Sequence, residues 1–500
     1  MTRSPTEALE EKGFDGVAVL ALGYLAVPNL IFILGWFQLP IAFALGLTLS
    51  YLLFNAFRTS SISWQSDFAP TTALLIAGAA FAWAAFAGGS HFMFSPHDWA
   101  IRDAVLGDLV YGEWPPAYQS ADDAQSHLLR SALGYFLAPA IAGKLFGTSG
   151  LGMAVYLWTA VGVSLFFLLL PFPGHAIGRL IPAIAIVICF SGTDILGYLV
   201  STGEFPEFPG RIEWWGPYSY SSMSGQLLWA PNHAIPIWLT TALLYRYRDS
   251  INLARLLLAL LPLTLIWTPF ASLGILPFVV MVLLRKARSF HDWRISWKHV
   301  AMATIYSLPI ILFLTIDIAG ISHGPQGSGD PSTVATRAPL SNLLDYCLFV
   351  SIEVGLIAVA LLPHASGRRD LFCMAVLVLV FLPFFSYGPS NDAALRLSGP
   401  ALTILAILCI ETVVNASPNG LLSLQSGLLW LVLAIGANTA INELARAALF
   451  PHWVPNYTIS LGERQGGIPA PHYAGRLSSR PFLEFLLKEA RRVPEAAARR

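Results

Sequence analysis

Charge is what this chain has least of. Lys and Arg number 29 and Asp and Glu another 29 in 500 residues, so charged residues make up 12%, about half the ~25% typical of soluble domains. Hydrophobic residues make up 55%. A soluble chain of this length would form about three domains, and each would need charge to cover its surface. Here the apolar residues run in long blocks, which makes lipid the solvent for most of the chain. The formal net charge is zero, so the basic face that nucleic-acid binding needs is missing. Cysteine is scarce as well. Cys189, Cys347, Cys373 and Cys409 all fall inside apolar blocks, in no zinc or haem spacing, and read as small buried apolar residues. The phosphate-loop, dinucleotide, HExxH and GxSxG motifs are absent, as are an internal repeat and a soluble catalytic domain. The opening MTRSPTEALEEKGFDG is acidic and too long for a signal n-region, so the first span is expected to be retained as an anchor.

What is present is a series of apolar blocks. A spanning helix needs roughly 20 apolar residues. Candidates lie at 16–36, 39–57, 70–88, 131–147, 151–171, 180–200, 232–245, 256–284, 299–319, 341–362, 371–387, 399–415 and 423–445. The blocks are apolar all round, which fits helices and not alternating barrel strands. The expected fold is therefore an all-α, polytopic membrane bundle of about 12 to 13 transmembrane helices. Residues 1–446 form the membrane domain and 447–500 a short polar tail ending in one amphipathic helix. Block 256–284 carries Pro262, Pro269 and Pro277 and reads as two short helices or a bent hairpin with its apex near Trp267-Thr268-Pro269.

Lys and Arg mark cytoplasmic loops. The groups Arg246, Arg248, Arg255; Arg285, Lys286, Arg288, Arg294, Lys298; and Arg368, Arg369 are assigned there, with Arg58. Loops 89–130, 200–231, 320–340 and 388–398 then face outward. Three blocks separate the first two of these outer loops, an odd number that cannot leave both on one side. A partial or re-entrant helix at 131–147, or at 180–200 where Ser191-Gly192-Thr193-Asp194 interrupts the block, restores parity.

Polar clusters are costly near lipid and mark function. Four lie on the outer side. SPHDWAIRDAVLGDLVYGEWPPAY, 95–118, reads as an amphipathic helix on the membrane face. Asp98 and Arg102 share a face, and Asp98 and Asp108 lie about 80° apart on the helical wheel. The structural alternative makes Ser95 the N-cap, Pro96 the first helical residue and Asp98 a capping-box carboxylate; it leaves His97, Asp103 and Asp108 unexplained. In ADDAQSHLLR, 121–130, Asp122, Asp123 and His127 are either metal ligands with Asp98 or an acidic first turn; the acidic turn is favoured. In 204–238, Arg211, Glu213, Trp214, Trp215, Trp229, Asn232 and His233 combine rings with polar groups, as a sugar cleft requires. In 386–402, Asn391, Asp392 and Arg396 stand at a span mouth. Asp392 and Arg396 form either a simple ion pair or part of a phosphate site, where a guanidinium binds oxygens bidentately.

His97-Asp98-Trp99, Arg102-Asp103 and Asp108 together resemble the acidic first-loop signature of the GT-C superfamily of integral-membrane glycosyltransferases. The ordered trio HDWAIRDAVLGDL, IEWW–YSS–LLWAPNHAIPIWL and NDAALRLSGPAL also resembles a group of uncharacterised bacterial multi-span proteins. About three spans precede the acidic loop here, whereas one usually does in GT-C enzymes, and the tail is shorter than their outer domain. The resemblance implies transfer of a sugar from a polyprenyl-phosphate donor to a glycan or lipid acceptor, at the outer face of the cytoplasmic (inner) membrane. Asp98, Asp103, Glu213 and His233 would be the catalytic set. Arg102, Arg211, Trp214, Trp215, Asn232, Asp392 and Arg396 would bind substrate and phosphate. A divalent cation, Mg or Mn, would sit at Asp98 and Asp108.

Two other readings compete. A polymerase or ligase of lipid-linked oligosaccharide would use the same face and depend on Arg and His without metal. A transporter or flippase would place ionisable residues at mid-depth, and Asp194, Asp317, Glu353 and Glu411 lie in or near spans.

Overall fold

The computed structural model describes residues 14–58, 62–64, 68–119, 125–174, 176–213, 215–216, 218–287, 297–321, 323–325, 343–388, 391–415 and 424–499. Seven helices among them are long and apolar enough to cross a membrane: Gly16–Trp36, Leu39–Phe57, Thr148–Leu169, Trp297–Leu314, Leu343–His364, Ala394–Asn415 and Leu424–Leu449. Ile177–Cys189 and Asp194–Thr202 make an eighth if that pair, bent by 42°, is one span. The chain is thus an all-α polytopic bundle. Its full-length apolar helices are fewer than the apolar blocks, because several blocks fold as short or broken helices. Phe43, Phe54, Leu74, Leu344 and Val359 turn outward and are more than half exposed, as lipid-facing side chains are. Pro231–Tyr247 and Gly399–Asn415 are buried along almost their whole length and form the centre.

The first helix defines two ends of the bundle. Its 21 residues span about 30 Å at 1.5 Å per residue. At its start, Asp15 caps the helix by accepting from the Ala18 N–H at 2.8 Å and pairs with Arg246 at 2.5 Å. Arg285–Asp370 and Arg368–Glu411 pairs also join residues of the basic loops. At its other end, the Lys488 N–H donates to the Trp36 carbonyl at 2.8 Å. The C-terminal segment therefore lies at the end opposite Arg246, an assignment that the sequence leaves open.

Gly134–Phe146 has 13 residues, about 20 Å, too short to cross. Its start is seated against the Trp267 backbone inside the bundle, where the Gly134 N–H donates to the Ile266 carbonyl at 2.9 Å. Its last turn returns to the tail end, where Lys144 donates to the Val110 and Gly112 carbonyls. It is a short helix with its start inside the bundle and its last turn at the tail end. The block with three prolines folds as two helices, Leu253–Thr264 and Pro269–Ala287, with the turn at 265–268. Loops 89–130 and 200–231 do meet: the Trp99 indole donates to the Leu228 carbonyl at 2.9 Å.

Two expectations are corrected here. Helix Trp99–Tyr111 does not lie amphipathically on a membrane face. Trp99 and every residue from 102 to 110 are buried. The polar tail is also more than one amphipathic helix. It supplies strands Ala474–Arg476 and Arg491–Arg492 to a four-stranded sheet with Pro116–Tyr118 and His127–Leu129. It packs so tightly on the 99–111 helix that a Cβ at Gly107 would fall 2.1 Å from the Tyr457 carbonyl oxygen. The clamp is Asp108. Its carboxylate accepts from Tyr118 at 2.6 Å, from the Leu461 N–H at 3.0 Å and from Arg499 at 2.5 Å, and neither ion-pair side chain has any exposed surface.

Arg499→Ala should cost about 3–5 kcal/mol, since it strands a buried carboxylate. The double variant Asp108→Asn/Arg499→Met should recover much of the loss. Thermal unfolding in detergent measures both, and a wild-type melting temperature for Arg499→Ala would show that the tail docks without this pair.

Candidate functional site

At the tail end, the side chains of three distant segments converge on Trp229, the last residue of the Met223–Trp229 helix. The Arg211 guanidinium lies over the indole, 4.1 Å from its centroid, and Arg446 stands at 5.9 Å. The indole N–H donates to Glu443 at 2.9 Å, and the other oxygen of Glu443 accepts from Arg446 at 2.8 Å. Arg102 donates to the Trp229 carbonyl. It also holds Asp98 at 3.9 Å, and the Asp98 side chain is 61% exposed. A cation over an indole face is favourable, more so when desolvated. Burial pulls the Arg211 pKa below its ordinary value; Glu443, Glu213 and Asp98 act against that and Arg446 adds to it. Three guanidiniums and three carboxyl groups thus share one electrostatic neighbourhood.

The capping explanation of Asp98 fails. Its side chain makes no cap hydrogen bond and its backbone is already helical. Ser95, the expected cap, donates to the Gly88 carbonyl at 2.6 Å and contacts His91 Nδ1 at 3.2 Å. On its other edge, His91 Nε2 meets Asp103 at 3.1 Å. Asp103 is 1% exposed, so it anchors His91 and does not face the cluster. Burial raises its pKa, partly offset by the His91 bond.

Glu213 lies 3% exposed. Its Oε1 accepts from the Ser222 N–H at 2.9 Å and the Ser222 hydroxyl at 2.6 Å. Burial, reinforced by Glu443 and Asp194, pushes its pKa up to about 8. At neutral pH it is a protonated carboxyl that pins the loop to the start of the 223–229 helix. Trp215 turns inward and donates to Glu353 at 3.1 Å. His233 bonds Thr268 at 2.8 Å through Nδ1 and lies within electrostatic reach of Arg396 and Arg102. Asn232 is buried at the start of its helix. Asn391 caps the Asp392–Leu397 helix. Trp214, Asp122, Asp123 and the Asp392 side chain lie outside the described residues. His127 is buried in the four-stranded sheet.

A divalent cation at Asp98 and Asp108 does not fit this arrangement. Tyr118, Leu461 and Arg499 engage both oxygens of Asp108. Among the described residues no group of three or more His, Cys, Asp or Glu side chains converges as a cation site. Glu443 and Arg446 carry little signal in the sequence: an i, i+3 charged pair closing an otherwise apolar helix looks like a helix end.

Glu213 makes stability fall with rising pH. Its folded pKa of about 8 lies above its ordinary 4.5, so the folded state holds the extra proton across that interval. The contribution is whole below about 4.5 and is lost as pH climbs through about 8. Glu213→Gln keeps the acceptor for Ser222 and removes the titration. Its melting temperature should decline less than wild type over that range; parallel declines would assign the pH dependence elsewhere. No protein-family model, no curated protein and no solved structure matches this chain.

Proposed function

We propose that the chain is a membrane glycosyltransferase that moves a sugar from a polyprenyl-phosphate donor to a glycan or lipid acceptor, working at the outer face of the cytoplasmic membrane. One observation carries the reading: the exposed, uncapped carboxylate of Asp98 stands beside Arg102 in the same cluster as Arg211, Arg446 and the Trp229 indole. An aromatic face can stack a sugar ring, and guanidiniums hold phosphate oxygens.

The chemistry follows from which carboxyl groups are already engaged. Asp103 is held by His91, Asp108 by Arg499, and Glu443 by Trp229 and Arg446. Glu213 is protonated at neutral pH. Asp98 is left as the general base. It takes the proton of the acceptor hydroxyl as that oxygen attacks the anomeric carbon. The bond from the anomeric carbon to the phosphate oxygen breaks, and the polyprenyl phosphate leaves with its charge met by Arg102, Arg211 and, from the span mouth, Arg396. A single displacement inverts the anomeric centre. Glu213 and Asp103 act as positioning residues and His233 orients the acceptor.

The test is release of polyprenyl phosphate from undecaprenyl-phosphate-linked hexoses by the purified chain, supplied with envelope extract as acceptor. Asp98→Asn should lower release by about 10²–10⁴-fold, the usual contribution of a general base, with an unchanged melting temperature because Asp98 caps nothing. Arg211→Lys should weaken donor binding. Full activity in folded Asp98→Asn, or no release by the wild type from any of these donors, would sink the proposal.

A further inference from the structure

A second cluster lies away from Trp229, inside the bundle. Glu353 sits in the middle of the Leu343–His364 span, about 15 Å from either end. Asp194 opens the second half of the bent pair. Asp194 is 1% exposed and Glu353 3%. Both helices are irregular here. The bent pair breaks at 190–193, and the Glu353 span widens into a π-helical turn over Ser351–Gly355. Such turns concentrate at functional sites, and ionisable groups at mid-membrane are kept for use.

The packing leaves no room for a larger chain. A Cβ at Gly192 would fall 1.7 Å from Glu353 Oε2. One at Gly436, on the last long helix, would fall 2.8 Å from the Ser191 carbonyl oxygen, and one at Gly197 would fall 2.1 Å from the Trp215 ring. Asp194 Oδ2 accepts from Ser191 at 2.9 Å and Thr439 at 2.7 Å. Glu353 Oε1 accepts the Trp215 indole N–H at 3.1 Å. The remaining oxygens, Asp194 Oδ1 and Glu353 Oε2, are buried without a hydrogen-bond donor among the described residues, and the two carboxyl groups lie within each other's electrostatic reach. The other ionisable groups acting here are Glu213 and Tyr220, from the 203–222 loop; the bent pair adds Thr193, which donates to the Ile352 carbonyl at 2.6 Å. Two bare carboxylates buried this close would repel, and a proton on one of them, offered to the free oxygen of the other, removes the repulsion.

We propose that Asp194 and Glu353 form a buried proton-binding site that holds one exchangeable proton between two carboxyl groups at mid-depth. Asp194, with two hydroxyl donors on one oxygen, is the carboxylate. Glu353 carries the proton on Oε2 and accepts Trp215 on its carbonyl oxygen. The pair keeps one negative charge, and losing the proton would leave two. Trp215 bonds Glu353, and Glu213, two residues earlier in sequence, lies within electrostatic reach of Arg211. The assignment stands independently of sugar transfer.

Infrared difference spectroscopy of the full chain in lipid tests it. Glu213→Gln serves as the parent, because Glu213 contributes its own protonated carboxyl. The parent should show a carboxylic C=O band at neutral pH that disappears on adding Glu353→Gln, an uncharged mimic of the protonated side chain. Trp215→Phe removes the donor to that carbonyl and should move the band to higher frequency without abolishing it. Exchanging choline chloride for sodium chloride should leave it in place. A band untouched by Glu353→Gln in folded protein, a frequency unmoved by Trp215→Phe, or loss of the band to sodium would each overturn the proposal.

Discussion

A lipid-facing chain has no water to satisfy backbone groups where a helix breaks, and this constraint organises the bundle. The turn at 265–268 is held by other helices: Asn29 donates to the Leu263 carbonyl at 2.8 Å and the Trp267 indole to the Leu25 carbonyl at 3.0 Å. The break at 190–193 is held likewise. The Met223 N–H reaches the Phe190 carbonyl at 2.9 Å and Thr193 reaches the Ile352 carbonyl at 2.6 Å. Each irregularity is therefore a junction between segments distant in sequence. The polar groups that close these junctions come from other helices and from the breaks themselves.

The same economy governs charge. A buried ion is tolerated only with a partner and hydrogen bonds. Asp108 has Arg499, Tyr118 and Leu461; Asp103 has His91; Asp194 has Ser191 and Thr439, and Glu353 has Trp215. These commitments separate carboxyl groups that look equivalent in sequence. Asp98, Asp103 and Asp108 fall within eleven residues, yet one is exposed beside a guanidinium cluster, one anchors a histidine and one fastens the C-terminal segment. The difference comes from what packs against each turn of the 99–111 helix.

How much of the site was legible depended on the segment. Arg211, Glu213, Asp98 and Arg102 stood out because charge is rare, and they do share a neighbourhood around Trp229. Trp215 stood out as a ring for sugar, but it bonds a mid-span glutamate. Composition shows a ring but not its orientation. Glu443 and Arg446 look in sequence like the ordinary charged pair with which an apolar helix meets water.

The sequence by itself determined the solvent, the helical class and the places where helices would break. Hydropathy, proline and small polar residues act locally, and no partner is needed to read them. Only the tertiary structure decided that Gly134–Phe146 is a short helix seated against Trp267, that the tail is a docked part of the bundle, and which carboxyl groups stay accessible. Those outcomes depend on contacts between residues as far apart as Asp108 and Arg499. Burial, which sets whether a carboxyl is exposed, paired or protonated, is a property of the packed bundle and of no single segment.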